Sequence, residues 1–98
     1  MEIPVLFVGD VCLLDVPRID RGRSLGLSQI QVMVYRVLEN HNYRIMYKNG
    51  SVGQRAANVS TLEKVFPAMW QPEWASLSDV RENSKKSLRE AVRLYYQR

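Results

Sequence analysis

Few side chains in this chain have the type and spacing that a reacting centre requires. Cys12 is the only cysteine and His41 the only histidine. A nucleophilic thiol needs a base beside it, so these two would have to meet. Cys12 lies in the apolar run Val11 to Val16 and reads as a small core residue. His41 lies in Glu39-Asn40-His41-Asn42 and reads as an exposed turn residue. A zinc site needs more Cys or His ligands than the chain supplies. A single cysteine also excludes an internal disulfide, which fits a reducing compartment. Asp10 follows Gly9 and reads as a turn aspartate bonding nearby backbone N–H groups. No paired carboxylates, triad or phosphate-cradling Gly-rich loop is evident. No catalytic residue is assigned, and no cofactor, metal or small-molecule substrate is expected.

Charge is the better guide. Arg18, Asp20, Arg21 and Arg23 fall close together after Pro17. They sit in a connection, residues 17–28, that is long for a hairpin, and such loops often bind. As a plain solvated loop, Asp20 would pair with Arg21 or Arg23 for little net energy. Residues 1–80 hold eight basic and eight acidic side chains, whereas residues 81–98 hold six basic against two acidic. The whole net charge of +4 therefore belongs to the tail. A neutral body with a basic end suggests an anionic partner, although a solvated helix face has the same charge. The candidate phosphate contacts are Arg18, Arg21 and Arg23 on the loop, with Lys85, Lys86, Arg89 and Arg93 on the tail. A second candidate set is aromatic: Tyr35, Tyr43, Tyr47, Trp70 and Trp74. Its sharpest form is a cage for methylated lysine, built from Trp70 or Trp74 with Tyr43 or Tyr47.

Short strands must position these groups. Ile3, Val5 and Phe7 alternate, as in a half-buried strand or an arm packed on a core, and Pro4 puts that segment at an edge. Val11 to Val16 is a strand ended by Pro17. Ile30 to Leu38 is a longer one, β-branched and alternating until Val37 breaks the pattern. Glu39 to Asn42 is a hairpin turn. Tyr43 to Lys48 alternates again, and Asn49-Gly50 reads as a two-residue type I′ turn. Ser51 to Ala57 returns as a strand of weak propensity. A 3₁₀ turn near Ser60 to Leu62 and a last short strand follow. About five such strands suit a small Greek-key or SH3-like barrel.

From Phe66 the composition shifts. Pro67, Trp70, Pro72 and Trp74 belong to a stretch that drapes over a domain, and Ser78 to Asn83 reads as a helical turn. Ser87 and Glu90 then have the capping-box spacing. Leu88, Ala91, Val92 and Tyr95 form one apolar stripe, with Arg89 and Arg93 off it. A helix this short must dock to persist. The division expected is 1–66 for the barrel and 67–98 for a Trp/Pro extension and basic amphipathic helix. At 98 residues there is one module with an appendage. No apolar run is long enough to span a bilayer, and Met1 to Val8 does not look like a secretory leader.

Val8-Gly9-Asp10-Val11, the run PRIDRGR at 17–23, and Tyr43-Arg44-Ile45 with Gly50 occur in an order that resembles a known module. Ser87, Leu88, Arg89, Ala91 and Val92 match its later S-L-R-x-A-V segment. The module follows the catalytic core in integrase-like transposases, and in the vertebrate SCAN-, BED- or KRAB-containing proteins domesticated from them. The chain departs from it in lacking an aromatic residue between Gly53 and Asn58. The resemblance implies an SH3-like barrel in a nuclear, transposon-related protein. It also implies contacts to DNA, with little sequence preference, and to neighbouring subunits. The catalytic carboxylates of such proteins lie in another domain. The expectation is a mainly β chain, a five-stranded SH3-like barrel with a C-terminal α-helix, that binds nucleic acid without being an enzyme. The alternative is a protein-interaction module, a Tudor- or SH3-like reader or an oligomerisation domain, whose partners would include chromatin proteins. No membrane partner is expected.

Overall fold

The computed structural model describes residues 3–18 and 28–96. They form a mainly β domain with one C-terminal helix. The strands are β1 (Val11–Asp15), β2 (Gln29–Val37), β3 (Asn42–Met46), β4 (Val52–Gly53), β5 (Ala57–Asn58), β6 (Leu62–Lys64) and β7 (Lys85–Lys86), and helix α1 spans Leu88–Tyr96. The sheet order is β6-β1-β2-β3-β4-β7, with β5 also paired to β3. Every pairing is antiparallel except β4 with β7.

β2 carries Ile30, Val32 and Val34 inward, all buried. They meet Cys12 and Leu14 of β1, Tyr43 and Ile45 of β3, and Ala91 and Val92 of α1 in one apolar cluster. The alternation fails at Val37 for a definite reason. Val34 faces Ile45 and Arg36 faces Arg44, which leaves Tyr35 as an extra residue. This bulge turns the end of β2, and Val37 is left 50% exposed.

The Glu39–Asn42 hairpin turn is present as expected, and the Asn49-Gly50 turn differs in form. Asn40 and His41 both have positive φ, 58° and 59°, as a type I′ turn requires. The expected type I′ turn at Asn49-Gly50 has another form. Gly50 is left-handed at φ 90° and Asn49 is not. The amide of Gly50 donates to the Tyr47 carbonyl and that of Tyr47 to the Ser51 carbonyl, at 3.0 and 2.8 Å. That is a three-residue loop, a turn closed by a glycine bulge. Asn49 is held otherwise: its Oδ1 accepts from the amide and hydroxyl of Ser51, at 3.0 and 2.5 Å.

The expected returning strand, Ser51 to Ala57, is broken into β4 and β5 by a bend at 54–56. The 3₁₀ turn ahead of β6 is present at Val59–Thr61, capped by Asn58, whose side chain accepts from the Ser60 amide. The N-terminal alternation is inverted. Leu6 is the buried residue, while Ile3, Val5 and Phe7 are 51–64% exposed, and the segment is not a strand. The Leu6 amide donates to the Tyr43 hydroxyl at 3.2 Å, which anchors that register. Gly9 sits at φ 96° in the turn that follows, and Asp10 accepts from the Phe7 amide at 2.8 Å, as a turn aspartate should.

Residues 67–84 are sewn along the β3–β4 turn. Ala75 donates to the Lys48 carbonyl, Arg81 to those of Gly50 and Asn49, and Val52 to that of Ser84, all at 2.8–2.9 Å. The helical turn comes slightly early, as a 3₁₀ turn at Leu77–Asp79. β7, unforeseen in the sequence, then pairs in parallel with β4 and delivers the chain to α1. At Ser87 the expected capping box is made. The Ser87 amide and hydroxyl donate to Glu90 Oε1 at 3.1 and 3.0 Å, and the Glu90 amide returns to the hydroxyl at 3.2 Å. Ala91 and Val92 are buried, and Leu88, Leu94 and Tyr95 pack part-buried on the same core.

Candidate nucleic-acid interface and its aromatic neighbour

The basic candidates divide by position. Arg21 and Arg23 lie outside the described residues. Arg18 is exposed just after Pro17. Lys85 and Lys86 occupy β7, the first exposed and the second half-buried, because a strand turns alternate side chains to opposite faces. Arg89 and Arg93 are exposed on α1, off the buried stripe. Two of the tail cations, Lys86 and Arg93, lie near one acid, Glu90. Ser87 hydrogen bonds hold the Glu90 carboxyl below the usual carboxylate range, and the charges of Lys86 and Arg93 lower it further. Lys86 and Arg93 thus share the neighbourhood of Glu90, at the junction of β7 and α1. Such a cluster can pair with phosphate oxygens as point charges and forks.

The aromatic set is split. Tyr43 and Tyr47 are each 2% exposed and lie in the core, so neither presents a ring to a partner. Tyr35 is half-buried at the bulge, and its hydroxyl is pushed up by burial and by the Glu82 charge. Trp70 and Trp74 do meet, edge to face at 4.9 Å between ring centres, but their next ring is Tyr95 of α1, 5.9 Å from Trp74. Lys48 places its ammonium 5.7 Å from the Trp74 ring centre and 5.2 Å from that of Tyr95. The cluster therefore holds a cation of its own chain. The Trp70 indole donates to the Ala75 carbonyl at 2.9 Å. The Tyr95 hydroxyl accepts from the Lys48 amide at 3.2 Å and donates to the Gln31 carbonyl. These bonds make the cluster a clasp between the extension, the β3–β4 turn and α1. In the sequence Tyr95 stands out only as part of the helix stripe. Lys48 carries no signal of its own there, because a lysine beside a turn is ordinary.

Behind β7 lies a groove of about 650 Å³, between the Pro17 end of β1, the 54–58 bend and the start of α1. It brings Lys86 together with Arg55, which is not among the sequence candidates. No composition or spacing marks Arg55, since the bend that presents it arises from the break between β4 and β5.

Cys12 is fully buried, and its thiol is pushed up to about 11, first by burial and then by the Asp10 charge. His41 stands exposed in its turn. Among the described residues no group of three or more His, Cys, Asp or Glu could hold a metal ion, and no helix is long and apolar enough to cross a membrane. Iodoacetamide should leave Cys12 unmodified in the native protein and label it fully in guanidinium, read by intact mass. Labelling at the same rate in both would contradict this burial.

No protein-family profile, curated protein or solved structure matches the chain.

Proposed function

We propose that this chain is a non-enzymatic nucleic-acid-binding module built on an SH3-like barrel, of the kind that follows integrase-like catalytic cores, in a nuclear protein derived from a transposon. The observation that carries this reading is the docking of the basic tail. β7 and α1 are fixed to the body, so Lys85, Lys86, Arg89 and Arg93 are displayed from ordered elements. The barrel assignment is supported by strand order: three meandering antiparallel strands, a broken fourth, a 3₁₀ turn, and a last strand returning to β1. Arg18 and the two loop arginines outside the described residues extend the same role. Contacts of this type give affinity with little sequence readout.

The test is a gel-shift titration on duplex DNA at two salt concentrations. Log affinity should fall linearly with log salt, and Lys85→Ala with Arg93→Ala should flatten the slope by roughly 0.9 for each phosphate ion pair removed. Binding that ignores salt, or a slope unchanged in the folded double variant, would remove the tail from the interface.

A second reading, a protein-interaction or oligomerisation module, is favoured by exposed apolar side chains. Phe66 is 80% and Phe7 64% exposed. Salt-insensitive self-association in sedimentation would support it over DNA binding. The intramolecular Lys48 contact speaks against a lysine reader at Trp74.

A further inference from the structure

The groove behind β7 has features that the nucleic-acid reading does not use. Its floor is apolar, from Leu14, Ile45, Ala57 and Leu88, and Arg55 and Lys86 stand on its rim. Tyr47 also lines it. The residue is 2% exposed, and its hydroxyl makes no hydrogen bond to the described residues while keeping access to solvent. A hydroxyl that opens on a groove can donate to whatever enters. Burial holds that hydroxyl up to about 12, so it stays a neutral donor. Beside it the amide of Gln54 donates to the Lys86 carbonyl and Ala57 pairs with Tyr43, while the amides of Arg55 and Ala56 between them have no partner among the described residues. Asp15, the one acid among the described residues that line the groove, accepts from the Gln29 side chain at 3.1 Å.

We propose that this groove binds a short extended acidic peptide through one apolar side chain. The apolar anchor rests on Leu14, Ile45, Ala57 and Leu88, a peptide carbonyl or carboxylate accepts from the Tyr47 hydroxyl, and flanking acids face Arg55 and Lys86. A nucleobase fits less well, because among the described residues the one aromatic lining the groove, Tyr47, is 2% exposed and offers no open face to stack on. The site is separate from the outward face of α1 assigned to phosphates, and only Lys86 borders both.

The probe is a ¹⁵N-labelled sample titrated with an acidic peptide carrying one central leucine. Amide shifts should concentrate at residues 45–47, 54–58 and 86–88. A peptide with serine for leucine should bind at least about tenfold more weakly, the effect expected for burying one large apolar side chain. Tyr47→Phe keeps the ring and removes only the hydroxyl, so it should fold and weaken binding by about threefold to tenfold. Arg55→Ser should weaken it without altering the DNA titration. Three results would each overturn the proposal: absent shifts in the groove, equal binding of the serine peptide, or displacement of the peptide by a short single-stranded oligonucleotide more readily than by its own unlabelled copy.

Discussion

Gly50→Val lowers stability by about 3 kcal/mol, from two independent costs. A left-handed φ of 90° strains any residue with a β-carbon, by about 1–2 kcal/mol. A β-carbon here would also stand 2.7 Å from the Asp79 carbonyl oxygen, which is backbone and cannot step aside. Forced contacts of that sort cost about 1–3 kcal/mol. In a domain of this size the loss corresponds to a fall in melting temperature of about 12–24 °C. Gly50→Ala should show most of it, since the β-carbon alone makes the clash. Asn49→Ala, which removes two local bonds to Ser51, should cost about 1–2 kcal/mol. A Gly50→Val protein that melts with the wild type would mean that residues 75–81 do not pack on this turn.

Val92→Asp has a comparable effect by another route. Val92 is 1% exposed and belongs to the main core, so the change loses roughly 1.5–3 kcal/mol of apolar burial and adds the desolvation of a carboxylate. A total of about 4 kcal/mol is expected at neutral pH, near the whole stability of a small domain. Burial raises the pKa of the new carboxyl, so the deficit relative to wild type should shrink as pH falls through that raised value. Arg93→Asp, one position along but outward, should stay within about 0.5 kcal/mol of wild type. Equal stability of the Val92→Asp and Arg93→Asp variants in denaturant titration would show that α1 is undocked. For the same reason, deleting residues 84–98 cannot separate charge from fold, because β7 and the buried face of α1 leave with the lysines and arginines.

How much of this is legible in the sequence depends on whether each cue is local. The strands at 11–16, 30–38 and 43–48 carry an alternation that burial enforces, and they stand within a residue or two of their expected ends. The Ser87–Glu90 box is legible because its bonds span a single turn of chain. Of the two hairpin turns, Asn49-Gly50 departs from its local signal where other bonds take over. Asn49-Gly50 suits a type I′ turn in isolation, yet Arg81 and Ala75 claim the carbonyls of this loop and Ser51 claims the Asn49 side chain. The Glu39–Asn42 turn stands where its residues put it and takes the type I′ form, because the Asn42 amide closes on the Glu39 carbonyl at 3.2 Å and only Asn40 and His41 lie between. The aromatic candidates fail on a distinction that composition cannot make. Tyr43 uses its hydroxyl to hold Leu6 and is core, while Tyr95, half hidden in a helix stripe, joins the tryptophans. β7 is illegible altogether. Two lysines have no strand propensity, and only the exposed edge of β4 gives them a partner.

The docking of Ala91 and Val92 has a consequence for synthesis. A ribosome makes the strands first, and β1 to β6 emerge while the cluster around Val32 and Val34 still lacks its covering helix. Those strands can pair early, but their shared apolar face stays wet until about residue 92 has cleared the exit tunnel. The nascent chain thus passes through an interval in which a nearly finished sheet is sticky, when a chaperone or a neighbouring nascent copy competes with its own tail for the same surface. The segment that carries α1 decides that competition, so the rate at which it is delivered governs yield without altering the stability of the finished fold.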